Sequence, residues 1–207
     1  DYCLEQGAEV IGLSRSAELD DSFLPYKLKG TNLKNFKFFQ LDLNKSLDQV
    51  VRVLSEFKPA YIVNFAAQGM VAQSWQRPVD WFRTNTLTQV DFHNRIRHFD
   101  WLERYVHIST PEVYGDCPTW ITEHTNYKPS TPYAVSRAAC DLSLSTFYQQ
   151  HDFPVIFTRA ANVFGPCQQL YRIIPRTVCS LLTEQKIPLH GGGVSRRSFI
   201  HMRDVCD

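Results

Sequence analysis

Tyr61-Ile62-Val63-Asn64-Phe65-Ala66-Ala67-Gln68 is the stretch that decides the fold. Its first five residues are β-branched, aromatic or otherwise compatible with a strand buried in a sheet, and the next three are small or polar and end it. Similar short runs recur on either side, at 10–13, 36–41, 105–108 and Val155–Thr158. Helical stretches separate them: Leu47–Phe57 with Ser46 at its N-cap, 79–98 entered through Pro78, and 132–150. Strands without a polar face that alternate with helices predict a parallel sheet covered on both sides, the doubly wound, Rossmann-like α/β class.

Residues 1–7 read as the last turns of a helix closed by Gly7, so the sheet is expected to lack its first strand. After Arg159 the pattern changes. Gly165-Pro166 breaks it, 173–183 is helical, and 187–189 and 199–200 suggest short strands around the glycine turn His190–Gly193. Residues 204–207 open another helix. Two regions are expected: a dinucleotide-binding Rossmann-like domain over 1–165, and the beginning of a smaller substrate lobe over 166–207. In doubly wound folds ligands bind beyond the carboxyl ends of the strands. That singles out Ser14-Arg15, Asp42-Leu43, Ala66-Ala67-Gln68, Ser109-Thr110 and Ala160-Ala161-Asn162.

The 207 residues carry 22 basic and 21 acidic side chains, a net charge of +1. Such a balance gathers no polyanion from a distance and speaks against a nucleic-acid binder; phosphate would need a local arginine cluster. No apolar run approaches the ~20 residues of a membrane helix, and the first residues lack a secretory pattern, so the expected location is the cytoplasm. The six cysteines form no C-x-x-C pair, so neither zinc nor a disulfide ladder is expected, and most should be buried. No His/Asp/Glu spacing makes a metal site. His107 and His201 read as core histidines, and Trp75, Trp81 and Trp101 as packing residues, with Trp81 a candidate for a dimer surface.

Tyr133 and Arg137 lie four apart on one predicted helix, so phenol and guanidinium can face one site. A phenol acting as a base near neutral pH must shift by about 3 units, or about 4 kcal/mol. A cation at ~5 Å supplies ~3 kcal/mol at an effective dielectric of ~20, and an oxidised nicotinamide would add to it.

In order and spacing, several segments together resemble the extended short-chain dehydrogenase/reductases. They are Asp42-Leu43, Asn64-Phe65-Ala66-Ala67-Gln68, Asn85, Ser109-Thr110-Pro111-Glu112-Val113-Tyr114-Gly115, Pro132-Tyr133-Ala134-Val135-Ser136-Arg137, the run from Arg159 to Pro166, and Arg197-Ser198-Phe199-Ile200-His201. Within that family the chain is similar to the nucleotide-sugar 4,6-dehydratases of the dTDP-glucose and GDP-mannose types. The resemblance implies that Tyr133 takes the proton of the sugar 4-hydroxyl, that Thr110 hydrogen-bonds the same hydroxyl, and that Arg137 supports the phenol. It implies that Glu112 removes the C5 proton before water leaves from C6. A 4-epimerase needs no such base, although a nucleotide-uronate decarboxylase of the UDP-glucuronate kind also carries it. By resemblance Asn85, Asn162, Arg172 and Arg197 contact the nucleotide sugar, with Arg196 beside them.

Two positions depart from the family. Pro111 stands where the dTDP-glucose type has an acidic proton donor, although the GDP-mannose type also lacks it. Arg137 replaces a lysine and keeps its charge, but a planar fork cannot reproduce an ammonium's contacts with ribose hydroxyls. NAD or NADP is the implied cofactor, met by Ser14, Arg15, Asp42, Leu43, Ala66, Ala67, Tyr133 and Arg137. Arg15 either meets a 2′-phosphate, which selects NADP, or is a solvent-facing loop residue. The glycine fingerprint that cradles the pyrophosphate belongs roughly 20 residues before Arg15, ahead of residue 1, so this stretch alone is expected to be inactive. Family members pair through helices matching 79–98 and 132–150, which implies a homodimer. The rival readings are a 4-epimerase or decarboxylase on the same scaffold and, from another class, a catalytically silent nucleotide-binding protein.

Overall fold

The structure is a computed structural model describing residues 1–207 except Pro118, Leu189, Ser195 and Arg196; of His190 and Gly191 only the backbone is described. In chain order the elements are α1 (Tyr2–Glu5), β1 (Val10–Ser14), α2 (Pro25–Leu28), β2 (Phe36–Gln40), α3 (Leu47–Phe57), β3 (Tyr61–Asn64), α4 (Val71–Ser74), α5 (Pro78–Phe82), α6 (Thr88–Ile96), β4 (Arg104–Ile108), α7 (Pro132–His151), β5 (Val155–Thr158), β6 (Asn162–Phe164), α8 (Ile173–Leu182), β7 (Phe199–His201) and α9 (Met202–Cys206). β3, β4 and β5 form a parallel sheet in that order, with Tyr61 opposite Arg104 and Tyr105 opposite Val155. β1 pairs with β2, and β6 lies parallel to β7. The parallel order β3-β4-β5 is that of one half of a doubly wound sheet.

Two compact units result. The larger comprises 13–16 and 40–159; the smaller comprises 1–12, 17–39 and 160–207. In the larger unit the core gathers on one face of the three-stranded sheet. Tyr105 and His107 of the central strand point there, fully buried, against Phe92, His93 and Ile96 of α6 and against α7. Tyr61, Val63 and Ile156 of the same sheet are exposed.

Helix α7 is built for close approach. Thr131 caps it by accepting from the Ala134 amide at 3.1 Å, and Pro132 occupies its first turn. Its buried residues Ala134, Arg137, Ala138, Asp141 and Leu144 recur every three or four positions, and the alanines let neighbouring backbones come near. The stretch expected as one helix from 79 to 98 is α5 and α6 joined by a π-helical turn over Arg83–Leu87. That wider turn leaves no mark in composition. It carries Asn85 into the core.

Several expectations require correction. Only Cys140 is buried, while Cys3, Cys117, Cys179 and Cys206 are exposed and Cys167 is intermediate, since most sit in short loops or on outward helix faces. Trp81 is 7% exposed and belongs to the core, so it is not available to a dimer surface. His201 caps α9, accepting from the Arg203 amide at 3.3 Å, rather than filling a core. Ile187 and Pro188 form no strand, Leu189 lies outside the described residues, and Asn162–Phe164 form a short strand that was not expected.

Candidate active site

Three buried amide side chains build the floor of the site, where β3 ends. Asn64 Oδ1 accepts from the Ala66 amide at 2.9 Å, and its Nδ2 donates to Gln89 Oε1 at 2.7 Å and to Tyr105 Oη at 2.5 Å. Gln89 Nε2 donates to the Ala66 carbonyl at 3.0 Å. Asn85 accepts from the Gln68 amide at 2.7 Å and donates to the Gln68 carbonyl and to Ser136 Oγ. The backbone amides and carbonyls of Ala66 and Gln68 are thereby paired from below, and the small side chains of Ala66 and Ala67 leave the upper surface uncovered. Asn85, expected at the substrate, is fully buried and commits both polar atoms of its amide to this brace.

Beyond β4, Thr110 is 6% exposed and N-caps a 3₁₀ turn, Pro111–Tyr114, by accepting from the Glu112 amide at 3.3 Å. Val113 is fully buried and anchors the turn, leaving Glu112 half-buried beside it. Gly115 closes the turn at φ 77°, and a Cβ there would overlap the Lys128 carbonyl oxygen. Both the left-handed backbone and the overlap penalise any side chain. Gly115→Ala is expected to destabilise the protein by about 2–3 kcal/mol, read as a lower urea midpoint with unchanged slope.

Tyr133 lies half-buried in the first turn of α7. Arg137, one turn later, is 2% exposed and turns inward: its Nη2 donates to the Ile108 carbonyl at the end of β4 and lies 3.1 Å from His107 Nε2. The same nitrogen lies 3.4 Å from Asp141 Oδ1, so it faces a guanidinium and a carboxylate at once. Burial, more than any other influence, holds His107 below the ordinary histidine range; the neighbouring Asp141 opposes this and Arg137 reinforces it. His107, His93 and Cys140 place donor atoms within 4.8 Å of one another, a cluster drawn from three elements and invisible to sequence spacing. His93 Nε2 bonds Tyr105 Oη at 2.8 Å, and the adjacent guanidinium opposes a divalent cation there.

The remaining cofactor candidates also lie in the larger unit. Ser14 and Arg15 are exposed; the Ser14 carbonyl accepts from the Leu41 amide and the Arg15 carbonyl from Gln40 Nε2. Asp42 and Leu43 are half-buried, and Asp42 Oδ1 accepts from the Asn44 amide at 2.9 Å. An exposed guanidinium, a carboxylate and an uncovered backbone step at three strand ends make a donor set that fits a dinucleotide. Asn162, Arg172 and Arg197 are exposed in the smaller unit. Asn162 Nδ2 donates to the Ser198 carbonyl at 3.0 Å, and Arg172 precedes α8 with its guanidinium 5.3 Å from the Tyr171 ring centre. A cleft of about 590 Å³ in that unit is lined by Phe23, Phe164, Cys167, Ile174 and His201 among others, and by none of these three. Arg196 lies outside the described residues.

This chain belongs to the NAD dependent epimerase/dehydratase family, whose profile matches residues 1–207. It is 32% identical over 184 residues to the dTDP-D-glucose 4,6-dehydratase of Homo sapiens, covering 86% of this chain and 50% of that enzyme. It is 35% identical over 178 residues to a dTDP-glucose 4,6-dehydratase of Streptomyces niveus, covering 84% and 51%. The chain thus spans about half the length of these relatives. A dTDP-glucose 4,6-dehydratase from Streptomyces venezuelae, solved with NAD bound, superposes with a TM-score of 0.83 at 27% identity, covering 99% of this chain and 64% of that one. A UDP-glucose 4-epimerase from Thermotoga maritima, at 21% identity and a TM-score of 0.83, shares the fold.

Proposed function

We propose that the protein is an NAD-dependent nucleotide-sugar 4,6-dehydratase acting on dTDP-glucose. The observation that carries this reading is Glu112, held on a capped turn next to Thr110 in the same compact unit as Tyr133. The similarity to curated dehydratases supports it. NAD would lie along Ser14, Arg15, Asp42, Leu43, Ala66 and Ala67 and supply a reversible hydride acceptor. Tyr133, with the charge of Arg137 nearby, takes the proton of the sugar 4-hydroxyl, while the Thr110 hydroxyl orients that oxygen. The 4-ketone acidifies C5; Glu112 removes the C5 proton and hydroxide leaves C6, taking up a proton to depart as water, after which the hydride withdrawn from C4 would return to C6 and a proton to C5, giving the 4-keto-6-deoxy sugar. Asn85 acts through the floor it braces, and Asn162, Arg172 and Arg197 meet the nucleotide diphosphate.

A homodimer through the helical stretch of α5 and α6 and through α7 belongs to the same reading. Val79 and Leu142 are exposed apolar residues on α5 and α7, Leu87 is exposed on the turn between α5 and α6, and Trp75, Phe82 and Val135 line an adjoining groove. Among the described residues no helix is long and apolar enough to cross a membrane. All six cysteines are free, which suits a reducing compartment, and the proposed location is the cytoplasm.

One observation favours a second reading. Pro111 cannot donate a proton, and the Arg137 guanidinium is engaged by Ile108 and His107, as in a nucleotide-binding protein without turnover. Incubating the full-length protein with dTDP-glucose and NAD separates the readings. A 4-keto-6-deoxy product, seen by its ultraviolet absorbance after alkali treatment, is expected. An epimer, carbon dioxide from a uronate, or cofactor binding with no product would each replace the proposal.

A further inference from the structure

Asp141 sits two turns beyond Tyr133 on α7, is fully buried, and has no part in the chemistry described so far. Its Oδ2 accepts from Ser109 Oγ at 2.6 Å and from Arg159 Nη2 at 2.8 Å. Ser109 immediately precedes Thr110, while Arg159 immediately follows β5. Arg159 Nη2 also donates to Tyr127 Oη at 2.6 Å, and its guanidinium carbon lies 5.3–5.5 Å from the ring centres of Phe157, Tyr114 and Tyr127. Tyr114 belongs to the turn that presents Glu112. The neighbouring Lys128 amide donates to the Val113 carbonyl at 3.0 Å, closing the same turn from the other side.

One carboxylate therefore joins the helix of Tyr133, the strand end of Thr110 and the aromatic cage around the turn of Glu112. Resting on the reading above, we infer that Asp141 is a positioning residue of the dehydration: it sets Thr110 and Glu112 relative to Tyr133 without touching substrate. Burial alone would push its carboxyl up, but the facing His107 and the bonds from Ser109 and Arg159 outweigh that and hold it below the usual carboxylate range. It is thus charged throughout the neutral range. Charge-assisted bonds of this kind fix geometry more firmly than neutral ones, and misplacement by ~1 Å can cost ~10²-fold in rate.

Asp141→Asn in the full-length protein tests this. With dTDP-glucose and NAD, kcat should fall at least about tenfold while KM stays within about threefold, in line with a lost alignment rather than lost binding. The primary isotope effect of substrate deuterated at C4 should rise, and amide hydrogen exchange at 110–115 and at Lys128 should quicken. A smaller folded fraction lowers kcat without moving the isotope effect, and that pattern overturns the inference. Should the variant not fold, Ser109→Ala removes one of the two bonds to Oδ2 and is expected to move every readout the same way. If the wild type turns over no sugar nucleotide, the proposed function fails, and exchange alone then judges the tether: unchanged rates at 110–115 in the variant overturn it, faster rates support it.

Discussion

If the protein is the proposed dehydratase, Tyr133→Phe is expected to leave NAD binding intact and to lower kcat for dTDP-glucose by about 10³-fold or more. A positioned general base contributes roughly 10²–10⁴-fold. The half-buried ring keeps its packing on α7, so folding should not change. Glu112→Gln must fail differently. It retains Tyr133 and Thr110, so the C4 ketone should form and stall, giving less than one equivalent of oxidised sugar and no 6-deoxy product. Single-turnover experiments that follow C4 oxidation and C6 deoxygenation separately distinguish the two variants. If Tyr133→Phe is silent while Glu112→Gln turns over normally, the enzyme is not a 4,6-dehydratase.

Lowering the pH from 7 to 5 destabilises the protein steeply. Burial holds His93 well below the ordinary histidine range, and the neighbouring His107 and Arg137 push it further down. His107 is lowered chiefly by burial as well, with Asp141 pulling the other way and Arg137 and Arg159 assisting. Tyr105 and Cys140 complete the surroundings; burial pushes the thiol to about 12, so it stays neutral throughout. Both imidazoles are thus neutral when folded and protonate readily once the chain unfolds. Their contribution is complete above about pH 6.5 and is lost as pH falls through the depressed folded values. Each ring then removes up to about 1.4 kcal/mol per pH unit, and the pair about 2.7, against a typical total of about 5–15 kcal/mol. The depressed Asp141 carboxyl acts in the same direction lower down, its share being present above about pH 3.9 and lost below. Urea midpoints at pH 7.5, 6.5 and 5.5 measure the effect, and a flat series would mean that the rings are solvated or charged in the native state.

Much of the fold could be read from the chain because its signals are local. Leu47–Phe57 and Val155–Thr158 have the expected limits, since each is a contiguous periodic run. The π turn at Arg83–Leu87 could not be foreseen: a one-residue shift in backbone pairing alters no composition. β6 is three residues long, too short for any alternation to declare itself. At the site, helical spacing places Tyr133 and Arg137 on one face of α7, but the direction of the guanidinium depends on His107, thirty positions earlier. The roles of Asp141 and Arg159 likewise arise from partners on other elements. One signal was available and went unused: Asn85, Gln89 and His93 repeat every four residues along the helical stretch, and all three are fully buried. A polar row on an inward helix face foretells side chains that serve the backbone of a neighbouring loop.

That row has a thermodynamic consequence for recognition. Since Asn64, Gln89 and Asn85 immobilise residues 66–68 as the chain folds, anything settling on Ala66 and Ala67 meets a surface whose disorder has already been spent. The entropy lost on association then falls mainly on the incoming molecule, whose own stiffness, more than any adjustment beneath it, sets the strength of the complex.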